Sequence, residues 1–124
     1  MKVLIVDDSA IMGERLKAVL SEITEPENIS QAKDSLEAIR TFEKLNPEVV
    51  ILDIQMPGGS GIDVLQEIKK GAPSPLVIVL TNYPYPQYRR KCIEAGADFF
   101  FDKSTEFDKV YETLEKLSQD RPYQ

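Results

Sequence analysis

Val49-Val50-Ile51-Leu52-Asp53 is a run of four apolar residues cut off by a carboxylate. An unbroken apolar run this short fits a strand buried on both faces, as in a parallel sheet covered by helices. On its amino-terminal side Leu36, Ile39, Phe42 and Leu45 recur at helical spacing and stop before Pro47, whose ring disfavours helix in the residue ahead of it. On its carboxyl side Gln55-Met56-Pro57-Gly58-Gly59-Ser60-Gly61 reads as a loop, with Gly residues for any positive φ the turn needs. Ile62, Leu65 and Ile68 then mark a further helix.

The same unit repeats in both directions. Val3 to Val6 is an apolar strand ended by Asp7-Asp8, and Ser9 stands where a helix cap is expected. Ile11, Met12, Leu16, Val19, Leu20 and Ile23 follow at helical spacing until Pro26. Asn28 to Lys33 is a weaker strand. Leu76 to Leu80 is a fourth strand ending at Thr81, and a Tyr- and Pro-rich loop leads into a helix through Tyr88 and Ile93 to Gly96. Ala97 to Phe101 makes a fifth strand ending at Lys103, and Phe107, Val110, Leu114 and Leu117 make a closing helix that Ser104 can cap. Five strand–helix units in alternation predict an α/β fold: a five-stranded parallel sheet, helices on both faces, right-handed crossovers. One domain is expected over residues 1–118, with 119–124, containing Pro122, as a tail.

Composition removes whole classes of chemistry. There is no histidine, so Ser-His-Asp and Cys-His nucleophiles and imidazole metal sites are excluded, leaving carboxylates, Lys and Thr. The single Cys92 cannot form an internal disulfide and reads as a packed thiol in a reducing compartment. Fifteen Lys and Arg against 21 Asp and Glu give a net charge of −6, which opposes direct nucleic-acid binding. The four apolar residues before Asp7 are too few for a signal peptide or a membrane span, so a cytoplasmic location is expected.

In an open parallel sheet, ligands bind beyond the carboxyl ends of the strands. Here those ends deliver Asp7 and Asp8, Asp53, Thr81 and Lys103 to one edge. Two like charges about 4 Å apart repel by roughly 4 kcal/mol at an effective dielectric of 20, so three converging carboxylates require a cation. A hard divalent ion such as Mg²⁺ suits all-oxygen ligands, and Lys103 adds positive charge for an anionic ligand. Taken singly, Asp7-Asp8 could be a strand-ending turn, Thr81 a turn residue and Lys103 a solvated side chain. Their joint placement changes the reading.

Asp7-Asp8, Asp53 with Met56-Pro57 and Gly61, Thr81 and Lys103, in this order, resemble the receiver domain of bacterial response regulators in two-component signalling, over essentially the whole chain. The resemblance implies a flavodoxin-like sheet of order 2-1-3-4-5. It implies phosphoryl transfer to Asp53 from a phosphohistidine on a sensor histidine kinase or phosphotransfer protein. It implies Mg²⁺ held by Asp8, Asp53 and the backbone carbonyl of Gln55, with Asp7 acting through water, Lys103 pairing with the phosphate and Thr81 hydrogen-bonding to it. The chemistry is confined to the protein's own Asp53, gaining and losing phosphate, so the chain is not a turnover enzyme. Thr81 and the aromatic three before the lysine, Phe100, take the switch positions; Phe replaces the more usual Tyr or His and leaves a switch resting on packing. Asn82 and Tyr83 border the phosphoryl site as gating residues. The fourth helix, fifth strand and fifth helix are the expected output face, with Tyr85, Tyr88, Phe101 and Tyr111 as contacts for a downstream protein or for a phosphorylation-linked homodimer.

Two rivals stand beside this reading. A small Mg²⁺-dependent phosphohydrolase would place its two acids two apart after the first strand and carry a cap insertion, whereas Asp7 and Asp8 are adjacent. A pseudo-receiver that binds partners without phosphorylation would not need all five site residues. No output domain follows the closing helix, so a receiver acting alone is expected, with a fragment of a longer regulator as the other case.

Overall fold

The computed structural model describes residues 1–56, 59–71 and 73–120. Its five parallel strands are β1 (Val3–Val6), β2 (Ile29–Ala32), β3 (Val49–Leu52), β4 (Leu76–Thr81) and β5 (Phe99–Asp102). Their order across the sheet is β2-β1-β3-β4-β5, the predicted 2-1-3-4-5. Central strands β1 and β3 run in register, Val3 against Val49 and Val6 against Leu52, so Asp7 and Asp53 leave the sheet at the same level. Both strands are buried throughout, as continuous apolar runs require.

Alternation of side chains along each strand divides the core in two. Leu4, Val6, Val50, Leu52, Val77 and Val79 pack with α2 (Ser35–Leu45), α3 (Gly61–Ile68) and α4 (Pro86–Glu94). Val3, Ile5, Val49, Ile51, Ile78 and Leu80 pack on the other face with α1 (Ala10–Leu20) and α5 (Phe107–Asp120). Each fully buried aliphatic side chain contributes about 1.5–3 kcal/mol relative to exposure, so the strands carry much of the folding free energy.

Local chemistry sets the helix ends. Ser9 Oγ accepts the Met12 N–H at 3.1 Å and caps α1, as expected. Asp34 Oδ1 caps α2 through the Glu37 N–H, and Asn46 closes it in the left-handed conformation, φ 48°, before Pro47.

Several sequence-based expectations are corrected. Ile11 and Leu36, read as inward-facing, are 72% and 60% exposed; the inward stripes run through Met12, Leu16 and Leu20, and through Ala38, Ile39 and Phe42. Strand β2 is shorter than 28–33, because Pro26–Asn28 forms a 3₁₀ turn and Lys33 N–H turns to Glu37 Oε1. Strand β5 starts at Phe99 rather than Ala97, after Gly96 at φ 107° ends the α4 turn. The loop after β3 contains a short antiparallel pair, Gln55–Met56 with Gly59–Ser60; Pro57 and Gly58 lie outside the described residues. Ser104 does not cap α5: its N–H and hydroxyl both donate to Asp102 Oδ1, three residues before the helix begins. Helix α5 runs to Asp120, into the segment read as tail, and 121–124 are outside the described residues. No helix among the described residues is long and apolar enough to cross a membrane.

Candidate functional site

Asp7, Asp8 and Asp53 each offer a carboxylate oxygen to one small volume, all within 4.8 Å of one another. Asp7 and Asp53 are buried and Asp8 is exposed, so the cluster opens to solvent on the Asp8 side. Asp7 continues the β1 ladder, its N–H on Ala32 O, and Asp53 continues β3, its N–H on Val6 O. Both carboxylates therefore follow two fully buried interior strands.

Lys103 enters from the far side of the sheet. Its Nζ lies 2.7 Å from Asp7 Oδ2 and 3.1 Å from Asp53 Oδ2, and its N–H donates to Thr81 O at 2.8 Å. The remaining oxygens are also held: Asp7 Oδ1 accepts Ser9 N–H at 2.9 Å, and Asp53 Oδ1 accepts Gln55 N–H at 3.1 Å. Burial is the largest influence on Asp53 and raises its pKa above the ordinary value; the Lys103 charge and the Gln55 N–H pull it back without cancelling it. Burial also opposes the Lys103 ammonium, but the hydrogen bond to Asp7 and the charges of Asp53 and Asp7 outweigh it, and its pKa is raised. The site thus keeps a firmly charged cation against an acid reluctant to ionise.

Hydrogen bonds fix the turn that carries Lys103. Asp102 Oδ1 takes both Ser104 donors, Asp102 N–H donates to Glu106 Oε1 at 3.0 Å, and Lys109 holds the other Glu106 oxygen at 2.7 Å. Those hydrogen bonds, from Ser104 to Asp102 and from Lys109 to Glu106, lower both carboxyl pKa values. The turn is built from charge-assisted hydrogen bonds.

The other residues named from the sequence for this site lie among the described residues. Gln55 follows Asp53 directly with its side chain exposed. Thr81 is fully buried at the end of β4, its Oγ1 accepting Tyr83 N–H at 2.9 Å. Asn82 and Tyr83 are exposed just beyond it. Phe100 is buried in the α2/α3/α4 core, with the Arg89 guanidinium 5.6 Å from its ring centre and Arg89 Nη1 donating to its carbonyl at 3.3 Å. Tyr85 is exposed and Tyr88 packs on that core. Phe101 is half-buried against the α1/α5 core, its ring stacked on Phe99 at 5.8 Å. Tyr111, on α5, lines a groove with Val19, Glu22 and Phe107, and its hydroxyl donates to Glu115.

Two supports escaped the sequence reading. A Cβ on Gly61 would stand 2.3 Å from Asp53 O and 2.6 Å from Ile54 Cα, so only glycine lets α3 start against the end of β3. Gln31 Nε2 donates to Asp7 O and Ser9 O at 2.9 and 3.2 Å, in space left by Gly13. The available signal was Gly13 itself, a glycine inside a helix, where it costs about 0.5–1 kcal/mol relative to Ala.

Three oxygen-donor side chains in one cluster, one of them open to solvent, fit a hard divalent cation such as Mg²⁺ and suit neither a soft nor an imidazole-preferring metal. Comparison with known proteins agrees with this geometry. The response regulator receiver domain matches residues 3–115. The chain is 35% identical to the chemotaxis protein CheY of Thermotoga maritima over 118 residues, 95% of this chain and 98% of that one. It is 46% identical over 80 residues to a protein-glutamate methylesterase/protein-glutamine glutaminase of Rhizobium johnstonii, 64% of this chain but 23% of the relative. The chain thus spans about a quarter of such methylesterases and nearly all of the CheY proteins. In structure it resembles the response regulator domain of Thermotoga maritima CheB, with a TM-score of 0.79 and 30% identity over 98% of both chains. Sheet order, edge chemistry and these likenesses converge: the chain belongs to the response regulator receiver domain family of two-component signalling.

Proposed function

We propose that this receiver accepts a phosphoryl group on Asp53 from a phosphohistidine of a sensor histidine kinase or phosphotransfer protein, in the cytoplasm. The observation that carries this reading is the buried Asp53 carboxylate set between the Lys103 ammonium and the Asp7–Asp8 pair. An Asp53 oxygen forms the new bond to phosphorus as the phosphorus–nitrogen bond breaks. The departing electron pair stays on the imidazole, which takes a proton from solvent.

Phosphoryl transfer depends mainly on alignment and on neutralising the equatorial oxygens. Lys103 supplies one fixed positive charge for them, and Thr81 a hydroxyl that can leave the Tyr83 N–H to meet the phosphate. Asp8, Asp53 and the Gln55 carbonyl would hold Mg²⁺, with Asp7 helping through water; bound there, the ion supplies the charge that three carboxylates and a phosphate together require.

The phosphoryl group brings about −1.5 to −2 charge and three acceptors, drawing Thr81 and its loop inward. That movement reaches the α4–β5–α5 face through the Phe100 region, where a downstream protein or a second phosphorylated copy would dock. Tyr83 would restrict access of water to the adduct, and Asn82 would restrict entry of the phosphodonor.

Incubation with acetyl phosphate and Mg²⁺ tests the reading. One phosphoryl mass increment, stable in acid, labile in base and lost in Asp53→Asn, is expected. An unmodified Asp53 would point instead to a module that binds partners without phosphorylation.

A further inference from the structure

We infer that Gln31 is a positioning residue for the cation site, acting from the neighbouring edge strand, and that Gly13 exists to leave room for it. The inference rests on the Mg²⁺ reading above and names residues that reading does not use.

Gln31 sits on β2, paired in register with Ile5 of β1, at the outer edge of the sheet. Its side chain reaches past the end of β1, where its NH₂ group donates to the carbonyls of Asp7 and Ser9. Those two carbonyls flank Asp8. One amide bridging them links the Asp7–Asp8 peptide to the Ser9–Ala10 peptide across the exposed acid, and Ser9 O also accepts Gly13 N–H at 3.0 Å. The turn that aims Asp7 Oδ2 at Lys103 and presents Asp8 to solvent is thereby tied to both a strand and a helix.

The role calls for two donors in this space. Both acceptors are carbonyl oxygens, so a donor with two N–H groups satisfies them, whereas a carboxylate would set oxygen against oxygen. A Cβ at position 13 would stand 2.1 Å from Gln31 Oε1, 2.5 Å from Cδ and 2.7 Å from Nε2, displacing the whole amide. Groups that orient metal ligands from behind typically govern affinity by 10–100-fold.

Mg²⁺ titration calorimetry on the full chain, with folding checked by thermal melts, tests the assignment. Gln31→Glu and Gln31→Ala are expected to weaken Mg²⁺ binding by about tenfold. Gly13→Ala should give the same loss with Gln31 intact, and adding it to Gln31→Ala should cost nothing more, since the displaced group is already gone. Without metal, the Ser9 amide, which Asp7 Oδ1 holds, should exchange faster in these variants while the β3 amides keep their protection. Wild-type affinity in Gln31→Ala, or losses that multiply in the double variant, would overturn the inference while leaving the metal reading intact. A wild-type chain that binds no Mg²⁺ would overturn that reading and this one with it.

Discussion

Lys103 Nζ stands 3.1 Å from Asp53 Oδ2, joining residues fifty positions apart at the floor of the acidic site. The same ammonium lies 2.7 Å from Asp7, so one buried cation answers two buried carboxylates. Removing one partner of a buried ion pair leaves uncompensated charge and costs about 3–5 kcal/mol. Lys103→Met, which keeps the volume and removes the charge, is therefore expected to lower the urea unfolding free energy at pH 7 by about that amount. Millimolar Mg²⁺ should recover part of the loss, because a cation bound only by the folded state stabilises it by mass action. Urea titrations with and without Mg²⁺ check both statements.

Although Asp53 is paired with Lys103, burial outweighs that pairing. Its folded pKa is raised, chiefly by burial, above the ordinary 3.8. Below the unfolded pKa the carboxyl is protonated in both states and costs nothing. As pH rises from there through the folded pKa the unfolded chain ionises first, stability falls, and the penalty then stays constant up to neutrality. Asp53→Asn should consequently raise Tm by a few degrees at pH 7, with the gain fading as pH drops through the folded pKa towards 3.8. A pH series of thermal melts on both chains measures the convergence.

The sheet was readable because its strands are unbroken apolar runs, a pattern that survives without knowledge of any contact. The site was readable for the same reason: Asp7, Asp53, Thr81 and Lys103 each stop or follow such a run, and parallel topology carries strand ends to one edge. Ile11 and Leu36 misled because each lies one position from an inward helical stripe, and spacing alone tolerates that rotation. Ser104 misled because Ser near a helix start is a common cap, yet the stronger acceptor Asp102 is two residues away. Gln31 was invisible because its role depends on the space beside Gly13, a tertiary relationship with no periodic signature.

Tyr83 is tied to the strand end through its N–H on Thr81 Oγ1, while its ring is 43% exposed and 6.4 Å from that of Tyr85. On the proposed reading, a bulky side chain at this position would shield the adduct from attacking water. Tyr83→Ala is expected to shorten the phosphoryl half-life on Asp53 several-fold, while Tyr85→Ala, one ring further out, leaves it close to wild type. Decay of the acetyl-phosphate-labelled protein, followed by intact mass, gives both half-lives; no change in Tyr83→Ala would remove the gating role.

Gly61 packs against the main chain of Asp53 and Ile54. A methyl group there would meet Asp53 O at 2.3 Å and Ile54 Cα at 2.6 Å, both main-chain atoms that cannot swing aside. The helix start is also pinned, by Gly61 N–H on Ile54 O at 3.0 Å and by Ser60 Oγ on Ile62 N–H. Relief must come from moving β3 or α3, so Gly61→Ala should destabilise by at least the about 1–3 kcal/mol of an overpacked core. Because the displaced atoms belong to Asp53 and its neighbour, phosphorylation by acetyl phosphate should slow in the folded fraction as well. Gly71→Ala is the matched control: a Cβ there meets nothing within 4 Å, and both stability and labelling rate should stay near wild type. Urea unfolding and labelling kinetics on the two variants separate a general glycine effect from one specific to the Asp53 backbone.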